Sequence, residues 1–260
     1  IAEFTTTQIA GLATTQVRGL TDTAVAALAA TQIAALTTAQ VQSLTTTALI
    51  AFVDTQIGAL TTTQVAGLLT TQVSALDTTN VAALAATQVA ALTGAQVAAL
   101  GSTSFAQLDG TQVGALTTTQ MRALSTTQIA NIDAAQVASF TTTQLTQLNG
   151  TQLKSLSTSN LSALDTTQMA ALTASQIASL STTQIAGLVA GDIGEMTTTQ
   201  IQSLVTTQIA NLATDAVSEL TSTQVAAMRT TQIQGLTTTQ FGALDSTDIG
   251  EFSTTQLQSL

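Results

Sequence analysis

The sequence predicts an all-α solenoid, a superhelix of 32 very short helices with one helix per eight-residue repeat and about 3.5 repeats per turn. Three observations carry this. From Thr5 to Leu260 the chain divides into 32 octads without insertion or deletion, beginning Thr5-Thr6-Thr7-Gln8-Ile9-Ala10-Gly11-Leu12. The fifth and eighth positions of every octad are apolar, from Ile9 and Leu12 to Leu257 and Leu260. The head of the octad reads as a helix start.

That start is explicit when the first residue is placed at the N-cap. Gln8 then falls at N3 and completes a capping box with Thr5, while Phe4 and Ile9 stand where a hydrophobic staple needs them. Ile9 and Leu12, three apart, share one helical face. Asp77, Asp109, Asp133, Asp165 and Asp245 occupy the N-cap position and Asp22 and Asp54 the next, where the helix dipole favours an anion. The first position is also held by Ala13, Ala29, Val53, Leu69, Val189 and Arg229, which cannot cap with a side chain, so a cap one or two residues later is a second possibility. The sixth and seventh positions carry Ala, Gly, Ser and seven charged residues (Glu3, Arg18, Arg122, Lys154, Glu195, Glu219, Glu251), so at least one of them reaches solvent. Helices this short are unstable alone and must bury their apolar pair against neighbouring octads.

Two other folds compete for the same pattern. A continuous helix fails, because eight residues turn about 800° and the apolar stripe would rotate roughly 80° per repeat. A β-solenoid remains the alternative, since Thr, Val and Ile suit strands, although an odd separation puts the two apolar positions on opposite faces of a strand.

A longer period runs over the octads. The fourth position is Gln except at Ala24, Ala48, Asn80, Ser104, Asn160, Asp192, Ala216 and Asp248, which recur in alternating steps of three and four octads with one member missing at Gln136. Duplication of a seven-octad unit explains it. So does a superhelix of about 28 residues per turn, on which these eight residues mark one face, the logic of a heptad seam. They are therefore the candidate lateral-contact face toward another copy.

Composition excludes more than it assigns. The chain is 45% hydrophobic, 2% aromatic and 7% charged, with net charge −10 and no His, Cys, Pro, Trp or Tyr. The usual general base, the activated thiol and the commonest metal ligands are missing. No catalytic, cofactor-binding or metal-binding residue is assigned, no cofactor is expected, and the chain is read as not an enzyme. Nucleic acid needs a basic footprint, and membrane insertion needs an apolar run of roughly 18 residues, so neither partner is expected. The chain starts and stops inside the repeat, so residues 1–260 are read as one continuous array cut from a longer repeat region.

The T-T-Q-[IV]-x-x-L octads resemble the low-complexity repeats of very large secreted or surface-attached bacterial proteins, labelled adhesin-like or haem-utilisation proteins. The resemblance covers the whole chain and implies an extracellular or cell-surface bacterial setting of fibre-like character. It transfers no functional residue, and the chain has no His or Tyr to ligate haem. The expected role is structural: an extracellular filament, sheath or adhesin stalk that stacks and associates with itself, with Gln and Thr side chains able to ladder between turns. The alternative is an ice-binding or other surface-binding solenoid that displays threonine in arrays.

Overall fold

A computed structural model describes residues 1–260. It contains 32 α-helices and no strand, from Thr6–Ala10 and Thr14–Arg18 at one end of the sequence to Thr254–Gln258 at the other. Each octad supplies one helix of four to six residues. This overturns the β-solenoid alternative. It also fixes the cap: the first residue of the octad is the N-cap in all 32 helices, including those beginning after Ala13, Val53 and Arg229.

The helix stops because the eighth residue leaves helical geometry. Leu36 has φ −61° and ψ 137°, and the next N-cap, Thr37, has φ −71° and ψ 158°. Two extended residues thus separate successive helices and redirect the chain. The last turn tightens before the break, with the Leu12 N–H donating to the Ile9 carbonyl at 3.2 Å, an i to i−3 bond. No residue has positive φ, so the reversal needs no left-handed glycine.

The chain forms two compact units of sixteen helices each, Ile1–Ile132 and Asp133–Leu260. Inside each unit, helices stack on those three octads away. In the first, Thr14–Arg18 packs on Thr38–Ser43; in the second, Ala174–Ser179 packs on Thr198–Ser203. Some glycines mark close approach between stacked helices. A Cβ on Gly67 would lie 2.1 Å from Thr38 Cγ2, and one on Gly235 2.6 Å from Thr206 Cγ2.

The core of each unit is the two apolar positions. Fifth residues such as Ile33, Phe105, Leu153 and Ile201 are completely buried, and eighth residues such as Leu36, Leu108 and Leu172 nearly so. The third position faces water: Thr31, Thr63, Thr111, Thr167 and Thr231 are all exposed. Because two positions of each octad supply nearly all of the buried apolar side chains, each carries a large share of its neighbourhood. Phe105→Ala should lower the unfolding free energy by about 3–5 kcal/mol, whereas Val53→Ala, at an exposed N-cap, should change it by less than about 0.5 kcal/mol; urea denaturation of the two variants checks the contrast.

Candidate functional site: an inter-turn glutamine ladder

The N-cap hydroxyl and the N3 glutamine satisfy the start of each helix locally. In the octad Thr37–Leu44, the Gln40 N–H donates to Thr37 Oγ1 at 3.2 Å, and the Thr37 N–H donates to Gln40 Oε1 at 2.6 Å. Where the first residue is Ala or Val only the second bond survives, as with the Ala29 N–H donating to Gln32 Oε1 at 2.7 Å.

The other end of the same amide reaches a different turn. Gln40 Nε2 donates to the carbonyls of Ile9 at 2.9 Å, Ala10 at 3.2 Å and Leu12 at 2.8 Å, which lie 31, 30 and 28 residues upstream. Helix ends leave their last carbonyls without intrahelical partners, and these are the carbonyls that the glutamine collects. The pattern repeats with the same offsets. Gln96 donates to Val65, Ala66 and Leu68 in the first unit; Gln232 donates to Ile201 and Leu204 in the second. The link of 28 residues is three and a half octads, the pitch expected from the sequence. It also fixes the amide orientation, because a flipped amide would set oxygen against carbonyls and NH₂ against an N–H donor.

The glutamines are consequently buried, Gln96 to 2% and Gln120 to 1% exposure, which a capping role alone does not require. A second clip runs on the outside in the opposite direction. Gln42, Gln202 and Gln234, all at the sixth position, donate to the carbonyls of Gly67, Ala227 and Ser259, each 25 residues downstream.

The eight residues singled out in the sequence lie on this ladder. Ala48, Asn80, Ser104, Asn160, Asp192 and Ala216 are buried, and Ala24 and Asp248 are half-buried. Three pairs sit on directly stacked helices: Ala24 with Ala48, Asn80 with Ser104, and Asp192 with Ala216. Six of the eight side chains are thus buried, and the shared period marks a line of interruptions in the ladder.

The interruptions are graded by side-chain reach. Asn80, one methylene shorter than Gln, keeps only the bond to the Phe52 carbonyl at 3.2 Å, and its buried Oδ1 has no partner. Ser104 keeps only the bond to the Leu76 carbonyl at 3.2 Å. Ala48 and Ala216 have no side-chain donor. Asp192 Oδ2 accepts the Val189 N–H at 3.0 Å and the Ser162 hydroxyl at 2.9 Å, so it caps its own helix but offers nothing to upstream carbonyls. Asp248 caps in the same way, accepting the Asp245 N–H at 2.8 Å. The Asp245 carboxylate in turn accepts N–H donors from Asp248 and Thr247, which hold its pKa below the ordinary value. Its contribution to stability is therefore present above the unfolded pKa and is lost as pH falls through the lower folded one.

Sequence reasoning read the fourth-position Gln as a cap and expected Gln and Thr side chains to ladder between turns, but not that one amide does both or that its acceptors are backbone carbonyls. A signal was available. Capping boxes accept Glu as readily as Gln, yet no octad has Glu at this position. A carboxylate can satisfy the N-cap but cannot donate to the upstream carbonyls.

No helix is long and apolar enough to cross a membrane, and no group of three or more His, Cys, Asp or Glu is placed to hold a metal ion. The arrangement fastens one superhelical turn to the next. By fold and site the chain is an α-helical octapeptide-repeat protein. Residues 113–150, 150–182 and 217–254 match the family model of the ALTTAQ repeat. The string itself also occurs at Ala35–Gln40, where it covers the closing Leu36, the N-cap Thr37 and the ladder residue Gln40. A search of curated proteins finds no match.

Two substitutions test the ladder from opposite sides. Asn80→Gln should restore the missing bonds and raise stability by about 1–2 kcal/mol, read as a higher melting temperature. Gln96→Glu should keep the cap on Thr93 while setting a carboxylate against the carbonyls of Val65, Ala66 and Leu68, which raises its pKa above the unfolded value. Its stability should be near that of the parent below about pH 4 and fall by about 2–4 kcal/mol as pH rises through the raised value. Gln96→Leu should lose a similar amount with no pH dependence over that range, and melting curves from pH 3 to 8 distinguish the two.

Proposed function

We propose that the chain is a non-catalytic structural module of a bacterial extracellular filament, sheath or adhesin stalk, built to extend by stacking identical turns and to associate with further copies of itself. The observation that carries this reading is the ladder: within each unit the same side chain joins each turn to the one before it, at a constant offset of 28 residues. Such units contact only their neighbours along the coil, so the array lengthens without a new core design. The surface supports the same use. It is dominated by Thr, Ser and small residues, with few charges, which suits a long-lived passive structure more than a reactive site. The resemblance of the octads to repeats of large surface-attached bacterial proteins agrees with an extracellular position.

A second reading has its own support. The third-position threonines are exposed throughout the repeat, from Thr7 to Thr255, so a regular hydroxyl-bearing surface is available for binding ice or another ordered surface. The two readings diverge in solution. The structural role predicts elongated assemblies in negative-stain micrographs of the purified chain, with a freezing point equal to its melting point. Thermal hysteresis from dispersed single molecules would favour the surface-binding role instead.

A further inference from the structure

The self-association proposed above needs a surface along the side of the coil, and the charges mark one. Acidic residues stand in the octads beginning at Thr21, Val53, Asp77, Asp109, Asp133, Asp165 and Val189, in alternating steps of four and three octads. Glu3 stands three octads before the first, and the series resumes at the octad of Asp245; Asp215 and Glu219 stand one octad ahead of its missing member. Such alternation marks one side of a coil with 28/8 = 3.5 octads per turn.

Within each unit the coil brings these octads together. In the first, Gln56 donates to the Val25 and Leu28 carbonyls at 3.1 and 2.6 Å, which seats the octad of Asp54 on that of Asp22. Asp54 and Asp77 line one groove, and Gln112 donates to the Ala82 carbonyl at 3.2 Å, which seats the octad of Asp109 on that of Asp77. In the second unit, Gln168 donates to the Phe140 carbonyl at 2.7 Å and so joins the octads of Asp165 and Asp133. The Thr166 hydroxyl then donates to Glu195 Oε1 at 2.5 Å. Asp22, Asp54, Asp77, Asp109, Asp133 and Asp165 are all exposed. The bases stand elsewhere. Arg18, Arg122, Lys154 and Arg229 share no octad with an acid, and each lies more than a quarter of a turn from the acidic line of its unit. Each unit therefore has an acidic side and a basic side.

The groove shared by Asp54 and Asp77 has a volume of about 480 Å³, and its lining shows what the acidic side accepts. Ile50 and Val53, apolar side chains 38% and 53% exposed, form part of the wall. Asn80 lines it too, at 2% exposure, with an Oδ1 that has no hydrogen-bond partner. Two carboxylates and an unused amide oxygen require donors, and the apolar wall requires a hydrocarbon stem. An arginine side chain carries both. On the basic side, Arg18 and Leu69, which is 47% exposed, line a hollow of about 400 Å³. Arg18 holds the sixth position, which is exposed well inside the unit too, at Gln42 and Ala66.

We infer that copies of this chain associate side by side, with Arg18 of one copy entering the groove of Asp54 and Asp77 on the next. Its guanidinium donates to the two carboxylates and to Asn80 Oδ1, and its stem covers Ile50 and Val53. The two sides differ, so the contact is heterologous and repeats from copy to copy without closing. The inference rests on the self-association reading and names its surface.

Each side is tested by its own variant. Asp54→Asn with Asp77→Asn removes both carboxylates, and asparagine keeps the cap that Asp77 gives the Asn80 N–H, so the melting temperature should hold. Arg18→Gln removes the guanidinium at an exposed position. Sedimentation velocity over a concentration series at low salt should show the parent forming oligomers and each variant associating roughly tenfold more weakly or less. Added sodium chloride should weaken the association of the parent, because exposed charges are screened. Mixed with each other, the two variants should form a one-to-one dimer through the intact groove of one and the intact Arg18 of the other. Oligomers that persist undiminished in either variant would overturn this interface and leave self-association standing. Oligomers that require added Ca²⁺ and disperse on chelation would assign the groove to a metal ion and overturn the arginine. A parent that stays monomeric at every concentration would overturn both readings.

Discussion

A primary amide carries a donor and an acceptor on one planar group, and the fourth-position glutamine uses the two in different turns. Gln40 illustrates the constraint: Oε1 accepts from the N-cap of its own helix, and Nε2 donates to carbonyls at the end of a helix about 30 residues earlier. Helices of four to six residues are nearly all terminus, with few internal bonds and many orphan groups. A fold made only of such helices stands if the leftover donors of one turn meet the leftover acceptors of another, and glutamine is the residue that spans that gap. Asparagine is too short, as the unpaired Oδ1 of Asn80 shows; aspartate and glutamate lack the donor; alanine makes neither bond.

This explains why the repeat is eight residues long and so regular. The capping residue, the glutamine and the two apolar positions must each recur in register with a turn of three and a half octads, and an insertion would displace the amide from its carbonyls. The apolar stripe supplies burial, but burial alone would tolerate rotation or slippage of one turn over the next. Hydrogen bonds to fixed carbonyls do not. Space between stacked helices is limited enough that Gly67 and Gly235 have no room for a Cβ opposite a threonine methyl.

Much of the fold was legible in the sequence because its signals are local. The capping box at Thr5 and Gln8, the apolar pair at Ile9 and Leu12, and the aspartates at helix starts each specify a helix without reference to distant residues. The pitch was legible too, through the spacing of the octads that lack Gln. A ladder of Gln and Thr between turns was expected, but its partners were not legible, because the acceptors are backbone carbonyls, which leave no mark on residue identity. The eight exceptions were visible as a pattern but read as surface, since nothing local distinguishes an inward-facing N3 side chain from an exposed cap. The absence of Glu at that position was the clue to a required donor.

The same chemistry links fold to the proposed role. A turn held by a side chain that every octad can supply is a turn that can be added repeatedly, and a surface bearing threonine at each third position repeats with it. The interruptions give each coil a line where consecutive turns share fewer side-chain bonds.

The central claim is that the fourth-position amide bonds across turns rather than pointing into solvent. NMR measures this directly on isotope-labelled protein, through side-chain amide exchange and couplings across hydrogen bonds. The Nε2 protons of Gln96 should exchange slowly and couple to the carbonyl carbons of Val65 and Leu68. Fast exchange at Gln96, with no such coupling, would contradict the account.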